Sequence, residues 1–411
     1  MPFHLEEARS RLAGLERVGA AEVRADIDVI ARPRLTGSIG AAEIERVLRL
    51  RFERLGYETR ELPFSFSTLP GRFGLSVAGA VTALAGGSAA VLLVVDRAGW
   101  SLVVLVLGLA MALVPLLALE RAIGTLRWGR MDAHNLLFQR PDGAPSWILM
   151  AHRDSKSQLV PTLVRTGAIA AGALAGLTLI VFCVLAILTV GVTATLVVLV
   201  GTVMAAAGVT LAFSWTSNTS AGALDNATGV AALLAVAERL ASQAEAAAGE
   251  VGGAGDVAFL LTDAEELGLA GSRAVTEGLP PVQGVINVDG LDDRGRLVLV
   301  EGSGRRGRRS APQLVAALLT AARALGLEVE RRPVPRTVLV DHLPLVRRGI
   351  PSLTVMRGRL DSLLRVHTPS DTVDVLRGTG AAEAATLLLA AVRLLQADEA
   401  SHLAGRRAVG S

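Results

Sequence analysis

Seven residues of this 411-residue chain have types and positions suited to zinc-dependent hydrolysis: His152, Asp154, Asp225, Glu265, Glu266, Asp289 and His367. That chemistry needs neutral imidazole and carboxylate ligands, an open position for water, and a base to take its proton. His152 and Asp154 close the apolar run SWILMAHRD, Glu265 and Glu266 close VAFLLTDAEE, and Asp289 closes GVINVDG. Asp225 lies in GALDNATG just before a helical pattern, and His367 lies in VHTPSDT. Each has an ordinary alternative. Asp225 could simply cap the helix that follows, the two glutamates could be solvated loop carboxylates, and His367 could be a satisfied turn histidine. His-x-Asp alone is weak, although an aspartate can hold the second nitrogen of a metal-bound imidazole. The weight comes from joint occurrence: five candidate ligands and a base follow strand ends in order, in a chain with only six histidines.

The elements that must position them read as alternating strands and helices. Strand-like runs cover Asn135–Arg140, Ser146–His152, Val257–Asp263, Gly284–Gly290, Arg296–Gly302 and Ser352–Met356, and helical patterns cover Ala41–Leu55, Thr228–Ala241, Pro312–Leu325 and Gly380–Gln396. The stretch leading into Val257 is Gly-rich, as a loop should be. Alternation of this kind predicts an α/β fold with a mixed, largely parallel and buried central sheet flanked by helices. In such sheets sites form at the carboxyl ends of the strands, so the seven residues can converge.

The chain is 51% hydrophobic, 19% charged and 3% aromatic, against about 45–50% apolar and about 25% charged in ordinary domains. The excess lies in two blocks, Leu75–Leu119 and Thr166–Trp215, and the second has no charge at all. A span needs roughly 20 apolar residues, so each block predicts two, broken at DRAG (Asp96–Gly99) and near TVGVTAT (Thr189–Thr195). Four transmembrane helices in two inserted hairpins result. Residues 1–74, 120–165 and 216–411 would then form the catalytic domain, 75–119 the first hairpin and 166–215 the second. Arg72, Arg121, Arg127, Arg130 and Arg165 flank the domain side, whereas the tips offer only Arg97. The positive-inside rule then puts a multi-pass protein in the cell membrane with its soluble domain on the cytoplasmic face. Gly86, Gly87, Ser88 and the Ala/Gly of the second block suit close helix packing. Trp100 and Trp215 fall where interfacial anchors belong. A transporter is disfavoured, because no ionisable residue lies within the second block or deep in the first. Cys183 is the only cysteine, which excludes an internal disulfide framework and a Cys-rich zinc site. The small net charge of +3 carries no nucleic-acid footprint, and the N-terminus shows no cleavable signal peptide.

The order MAHRDS, GALDNATGVAALL, AEELGLAGS, INVDG, DHLPLVRRGIPS and HTPSDT resembles the zinc aminopeptidases of metallopeptidase family twenty-eight, relatives of bacterial leucyl aminopeptidases and glutamate carboxypeptidase. The early segment RPRLTGSIGAAEIERVLRLRFERLGYETRELPF resembles that family's N-terminal helix and strand. The resemblance implies a zinc aminopeptidase/phosphorylase-hydrolase-like fold, a peptide substrate, and two zinc ions roughly 3.5 Å apart. It further implies that Asp225 bridges both ions, His152 and Asp289 complete one site, and Glu266 and His367 complete the other. Glu265 would be the general base acting on the bridging water, and Asp154 would orient His152. The Asp225–Asn226 peptide bond would be cis.

Some features depart from that pattern. Arg153 stands where the family often has an aromatic residue; it could shape a pocket rim or be a surface arginine. Lys156, the only lysine, is similar in placement to the lysine in the HYDSK run of glutaminyl cyclases, which keeps a one-zinc acyltransferase open as an alternative. A non-catalytic membrane scaffold with this fold is a further alternative, but no ligand is missing. His342 could line the substrate pocket or be structural, and the run Gly304–Arg309 reads as a solvated loop or a contact with anionic lipid. Substrate preference, the group that holds the substrate amine, and oligomeric state are not readable from the sequence.

Overall fold

The computed structural model describes residues 4–117, 119–141, 143–246, 257–275, 278–302, 311–334 and 339–410; the basic run Gly304–Arg309 lies outside them. The chain opens with α1 (Leu5–Arg11), α2 (Ala20–Ile30), α3 (Ile39–Arg54) and β1 (Glu58–Ser67). Three helices follow, α4 (Leu69–Val94), α5 (Ala98–Leu117) and α6 (Leu119–Thr125), then β2 (Arg130–Gln139), β3 (Trp147–His152) and the short β4 (Ser157–Gln158). Next come α7 (Thr162–Ile187), α8 (Ala194–Ala212), β5 (Thr216–Ser217), α9 (Thr228–Ala246), β6 (Val257–Thr262) and α10 (Ala270–Val275). The last third comprises β7 (Gly284–Leu291), β8 (Arg296–Glu301), α11 (Pro312–Leu325), β9 (Val329–Pro333), α12 (His342–Arg347), β10 (Ser352–Gly358) and α13 (Thr379–Gly410).

Among the described residues the main sheet has eight strands in the order β1-β2-β6-β3-β7-β10-β8-β9. The four central strands β6, β3, β7 and β10 are parallel, and antiparallel pairs join β1 to β2, β2 to β6 and β10 to β8. Every residue of β3 and β6 is buried. That is why both strands read as unbroken apolar runs and not as alternating ones. One face of the sheet is covered by α2, α3, α9, α11 and α13, and the other by α10 and α12 with their neighbours. Few aromatic residues suffice for the larger core, because they are concentrated: Phe52 of α3 stacks on Phe138 of β2 with centroids 4.0 Å apart, and Tyr57 and Phe259 close around them. Local signals agree with the ends of these helices. The Ser38 hydroxyl accepts the Ala41 N–H at the start of α3. A proline opens α11, and Gly326 ends it in the left-handed region.

The sequence reading captured the interior strands, covered edge strand β1 only through the resemblance of the early segment, and left edge strand β9 (VERRP) unassigned because it is short, charged and largely exposed. α13 runs well past the expected Gln396. The apolar blocks form helices that begin earlier than the hydropathy does. α4 starts at Leu69 and α7 at Thr162, so Arg72 and Arg165 fall in first helical turns. The breaks lie at residues 95–97 and 188–193.

Among the described residues, four helices are long and apolar enough to cross a membrane: α4, α7, α8 and the Thr379–Ser401 part of α13. The fourth differs from the sequence expectation. α13 packs within the core against the sheet and α9, so its apolar surface is already used. α5 instead lies against α4 and presents exposed Val103, Val106, Leu107, Leu109 and Met111. α4, α5, α7 and α8 form one bundle whose buried seam includes Ala85, Ala89, Leu105, Leu179, Cys183, Val197 and Met204. Two polar groups pair inside it: the Ser101 hydroxyl donates to the Ala89 carbonyl (2.8 Å), and the Cys183 thiol donates to Ser101 (3.2 Å).

Backbone contact between α4 and α8 requires glycine. A Cβ on Gly208 would sit 2.3 Å from the Ala83 nitrogen, and one on Gly79 would sit 2.5 Å from the Ala212 nitrogen. Gly86 is similarly confined by Met204, but Gly87 meets nothing within 4 Å and takes no part in this packing. Gly208→Val is therefore expected to drive α4 and α8 apart and sharply lower the thermal midpoint of the detergent-extracted protein, whereas Gly87→Val leaves it unchanged. Equal midpoints for the two variants would show that the close approach is not needed.

Candidate metal centre

Parallel strands deliver their carboxyl ends to one edge of the sheet, and the chemistry-bearing residues sit there. His152 is the last residue of β3, and its register partner Thr262 is the last residue of β6. Beyond Thr262 the backbone turns through Ala264, whose φ is +54°, into Glu265 and Glu266. Asp289 lies near the carboxyl end of β7, Asp225 in the turn Ala223–Ala227 before α9, and His367 in the loop after β10 with φ +65°. The Asp225–Asn226 peptide bond is cis, as the family resemblance implies.

These elements bring all five expected ligands together. His152 Nε2 lies 3.0 Å from Asp225 Oδ1 and 3.5 Å from Asp289 Oδ1. His367 Nε2 lies 2.9 Å from Asp225 Oδ2 and 3.2 Å from Glu266 Oε2. Two groups of possible ligand atoms result, His152–Asp225–Asp289 and Asp225–Glu266–His367, and they share Asp225. Glu265 stands beside them, 9% exposed.

Neighbouring groups hold the ligands in place. Asp154 was expected to steer His152 through its carboxylate. It does so mainly through its backbone carbonyl, 3.2 Å from His152 Nδ1. Its carboxylate instead accepts the Glu265 and Glu266 backbone N–H groups at 3.2 and 3.1 Å, fixing the turn that carries both glutamates. Asp371, from the HTPSDT run, accepts the Leu224 N–H (2.7 Å) and the Asp225 N–H (3.2 Å). Asn226 donates to the Val288 carbonyl (2.8 Å) and accepts the Gly290 N–H (3.2 Å), tying the Asp225 turn to β7. Arg34 is fully buried and donates to the carbonyls of Arg153 (2.8 Å), Ala221 (2.5 Å) and Gly222 (2.9 Å). That fork fastens the end of β3 to the segment leading into Asp225.

The electrostatics of the cluster call for a cation. Burial pushes the Glu265 carboxyl well above the usual carboxylate range; His152 opposes this, while Glu266, Asp341 and Asp289 add to the rise. Burial also raises Asp289. Burial works against charge on Glu266 too, yet His367 and Lys156 outweigh it and hold this carboxyl down at about 2. His152 is burdened by burial, but Glu265, Asp154, Asp225 and Asp289 raise its pKa well above the ordinary imidazole value. Carboxylates this close need a shared proton or positive charge among them. Buried His152 Nε2 finds no hydrogen-bond partner among the described residues although carboxylate oxygens surround it. An imidazole nitrogen left open in a ring of carboxylates is the donor set of a zinc site, so the residues fit the implied metal.

Three further residues have defined places. Arg153 is neither a rim nor a surface residue. It is 4% exposed and bridges Glu45 of α3 (3.0 Å) to Asp263 after β6 (2.7 Å). His342 is buried in α12 with its Nδ1 2.6 Å from the Thr354 hydroxyl, which is a structural place and not a pocket wall. Lys156 pairs with Glu266 Oε2 at 2.7 Å. Sequence reasoning did not single out Arg34 or Asp371, though both lie within motifs that carried the resemblance, RPRLTG and HTPSDT. It also passed over Thr36, which donates to Asp263 (2.8 Å) and accepts the Ala264 N–H (3.1 Å) at the turn before Glu265.

Comparison with known proteins agrees with this geometry. Residues 205–392 match Peptidase family M28. The fold is that of the LapA aminopeptidase of Legionella pneumophila, at 12% identity and a TM-score of 0.54 over 96% of this chain and 76% of that one. A Zn-dependent exopeptidase of Parabacteroides distasonis is similar, with 14% identity, a TM-score of 0.54, and 92% and 99% of the two chains covered. So is the glutaminyl cyclase of Fimbriiglobus ruber, with 19% identity, a TM-score of 0.52, and 96% of each chain covered. No curated protein sequence matches the chain. Residues 205–392 thus match family M28, and the chain has the fold of solved zinc aminopeptidases and glutaminyl cyclases.

Two substitutions test the support of the site. Arg34→Met leaves buried carbonyls unpaired at about 1–3 kcal/mol each, so it is expected to melt far below wild type. A midpoint within about 2 °C of wild type would show that the fork is dispensable. Burial holds the His342 pKa down at about 4. The folded protein thus refuses a proton that the unfolded chain accepts near pH 6.5. Its contribution to stability is complete above about pH 6.5 and is lost as the pH falls toward 4. The melting temperature of His342→Gln should therefore fall less than that of wild type between those pH values; parallel curves would rule the histidine out as the cause.

Proposed function

We propose that the protein is a membrane-anchored dinuclear zinc aminopeptidase that removes N-terminal residues from peptides. The observation that carries this reading is the pair of ligand groups sharing Asp225, with the buried Glu265 carboxylate beside them. His152 and Asp289 serve one ion, Glu266 and His367 the other, and Asp225 both. Zinc held there would polarise a scissile carbonyl and bring a bound water toward neutral pKa. Glu265 accepts a proton at its carboxylate and returns it to the departing amine nitrogen. Asp154 keeps the Glu265–Glu266 turn fixed while that proton moves.

Four spans, α4, α5, α7 and α8, support the membrane half of the proposal. α5, the shortest but one, has 20 residues, about 30 Å of helix and enough to cross the hydrocarbon core. The ends that join the sheet domain carry Arg72, Arg121, Arg127, Arg130 and Arg165, and the far tips only Arg97. That asymmetry supports a catalytic domain on the cytoplasmic face. Because α4 and α7 both begin at the sheet domain, the two hairpins leave and re-enter on one side, and His152 and Asp225 stay together. The proposed domain division follows: 75–119 and 166–215 in the bilayer, the remainder in the catalytic domain.

The test uses protein extracted from membranes with detergent and a panel of free, N-blocked and N-terminal glutamine peptides. Free peptides are expected to lose their first residue and blocked ones to survive. Glu265→Gln is expected to retain zinc and lose nearly all turnover. Normal hydrolysis by that variant would refute the mechanism. Release of pyroglutamate without peptide cleavage would favour the cyclase reading of the Lys156 run.

A further inference from the structure

The two ligand groups are supported by different parts of the molecule. His152, Asp225 and Asp289 are held by the sheet, the Asp225 turn and the Arg34 fork. His367 is held by the root of the second apolar hairpin. Its carbonyl accepts the Gln158 N–H of β4 at 2.7 Å. Its Nδ1 lies 3.2 Å from the hydroxyl of Thr162, the first residue of α7. Arg165, one turn on, donates to that same hydroxyl at 3.0 Å. The hairpin is fastened at its other end as well: Gln158 Nε2 donates to the Ser214 carbonyl (3.0 Å), and β4 pairs with β5 just beyond α8.

We infer that Thr162 is a positioning residue of the metal centre, so that the second hairpin is a structural part of the site and not only its tether. The inference rests on the zinc reading above. His367 Nε2 faces Asp225 and Glu266, and for that nitrogen to serve as a ligand the proton must sit on Nδ1. Nδ1–H then needs an acceptor, and the Thr162 oxygen is placed to provide it. Arg165 donates to the same oxygen and fixes its rotamer. Groups that hold the far nitrogen of a ligating histidine set both ring orientation and ligand basicity, and their loss typically weakens metal binding about 10–100-fold. Because Thr162 belongs to α7, this hydrogen bond places His367 relative to the apolar bundle, whereas His152 is placed relative to the sheet.

The test measures zinc affinity and stoichiometry of the full chain in detergent by chelator competition, for wild type, Thr162→Val and Thr162→Ser. Wild type is expected to bind two ions. Thr162→Val, nearly the same shape without the hydroxyl, is expected to weaken one of them about 10–100-fold and leave the other unchanged, and Thr162→Ser to restore it. Arg165→Gln, which loosens the hydroxyl without removing it, should give a smaller loss at the same ion. Two ions bound equally well by wild type and Thr162→Val would overturn the inference while leaving the zinc reading intact. Equal weakening of both ions, unrescued by serine, would also overturn it, since that is what a general loss of structure produces. Fewer than two ions in wild type would overturn the dinuclear reading itself.

Discussion

Asp225 lies between two histidines, and the site depends on that arrangement. Its two carboxylate oxygens point to His152 and His367, which come from opposite sides of the site. Glu265, Glu266 and Asp289 crowd the same buried space. Such a concentration of negative charge is costly in a protein interior unless cations are built in or bound. Lys156 and the two histidines supply part of the compensation, and in the proposed centre zinc supplies the rest. Much of the surrounding structure keeps these carboxylates from moving apart. Asp371 and Asn226 pin the Asp225 turn, Asp154 pins the two glutamates, and Arg34 joins the strand that ends in His152 to the segment that leads to Asp225.

The four parallel central strands bring these residues together without long-range design in any one of them. Each strand ends at the same edge, and β3, β6 and β7 each contribute a ligand or the base at or within a few residues of the strand end. What the strands cannot position is His367, which sits in a loop beyond β10. There the chain uses the root of an apolar helix pair. In the proposed arrangement the bundle therefore has two roles: it holds the domain at the bilayer and it gives one ligand its orientation. The tight glycine contact of α4 with α8 bears on the second role, because a bundle that splays cannot hold its first turn still.

Much of the catalytic edge was legible in the sequence because its strands are buried on both faces and end in polar residues. VAFLLTDAEE and SWILMAHRD announce both the strand and its chemistry. The apolar blocks were legible because they are long and nearly uncharged, although α13 was less so: its composition would suit a membrane, and only packing against α9 and the sheet reveals a core helix. Long-range hydrogen bonds were the least legible. Arg34 donates to carbonyls of residues more than a hundred positions away, and no local pattern announces that. The role of Arg153 was hidden because its partners, Glu45 and Asp263, come from distant elements. Thr162 sits at the start of an apolar helix, where composition alone suggests only a helix entry.

The claim at the centre is that Asp225 bridges two metal ions. X-ray diffraction from crystals of the detergent-purified, zinc-loaded protein, recorded on both sides of the zinc absorption edge, tests it directly. Two anomalous peaks are expected, one between Asp225, His152 and Asp289 and one between Asp225, Glu266 and His367. A single peak, or peaks that do not touch Asp225, would contradict it.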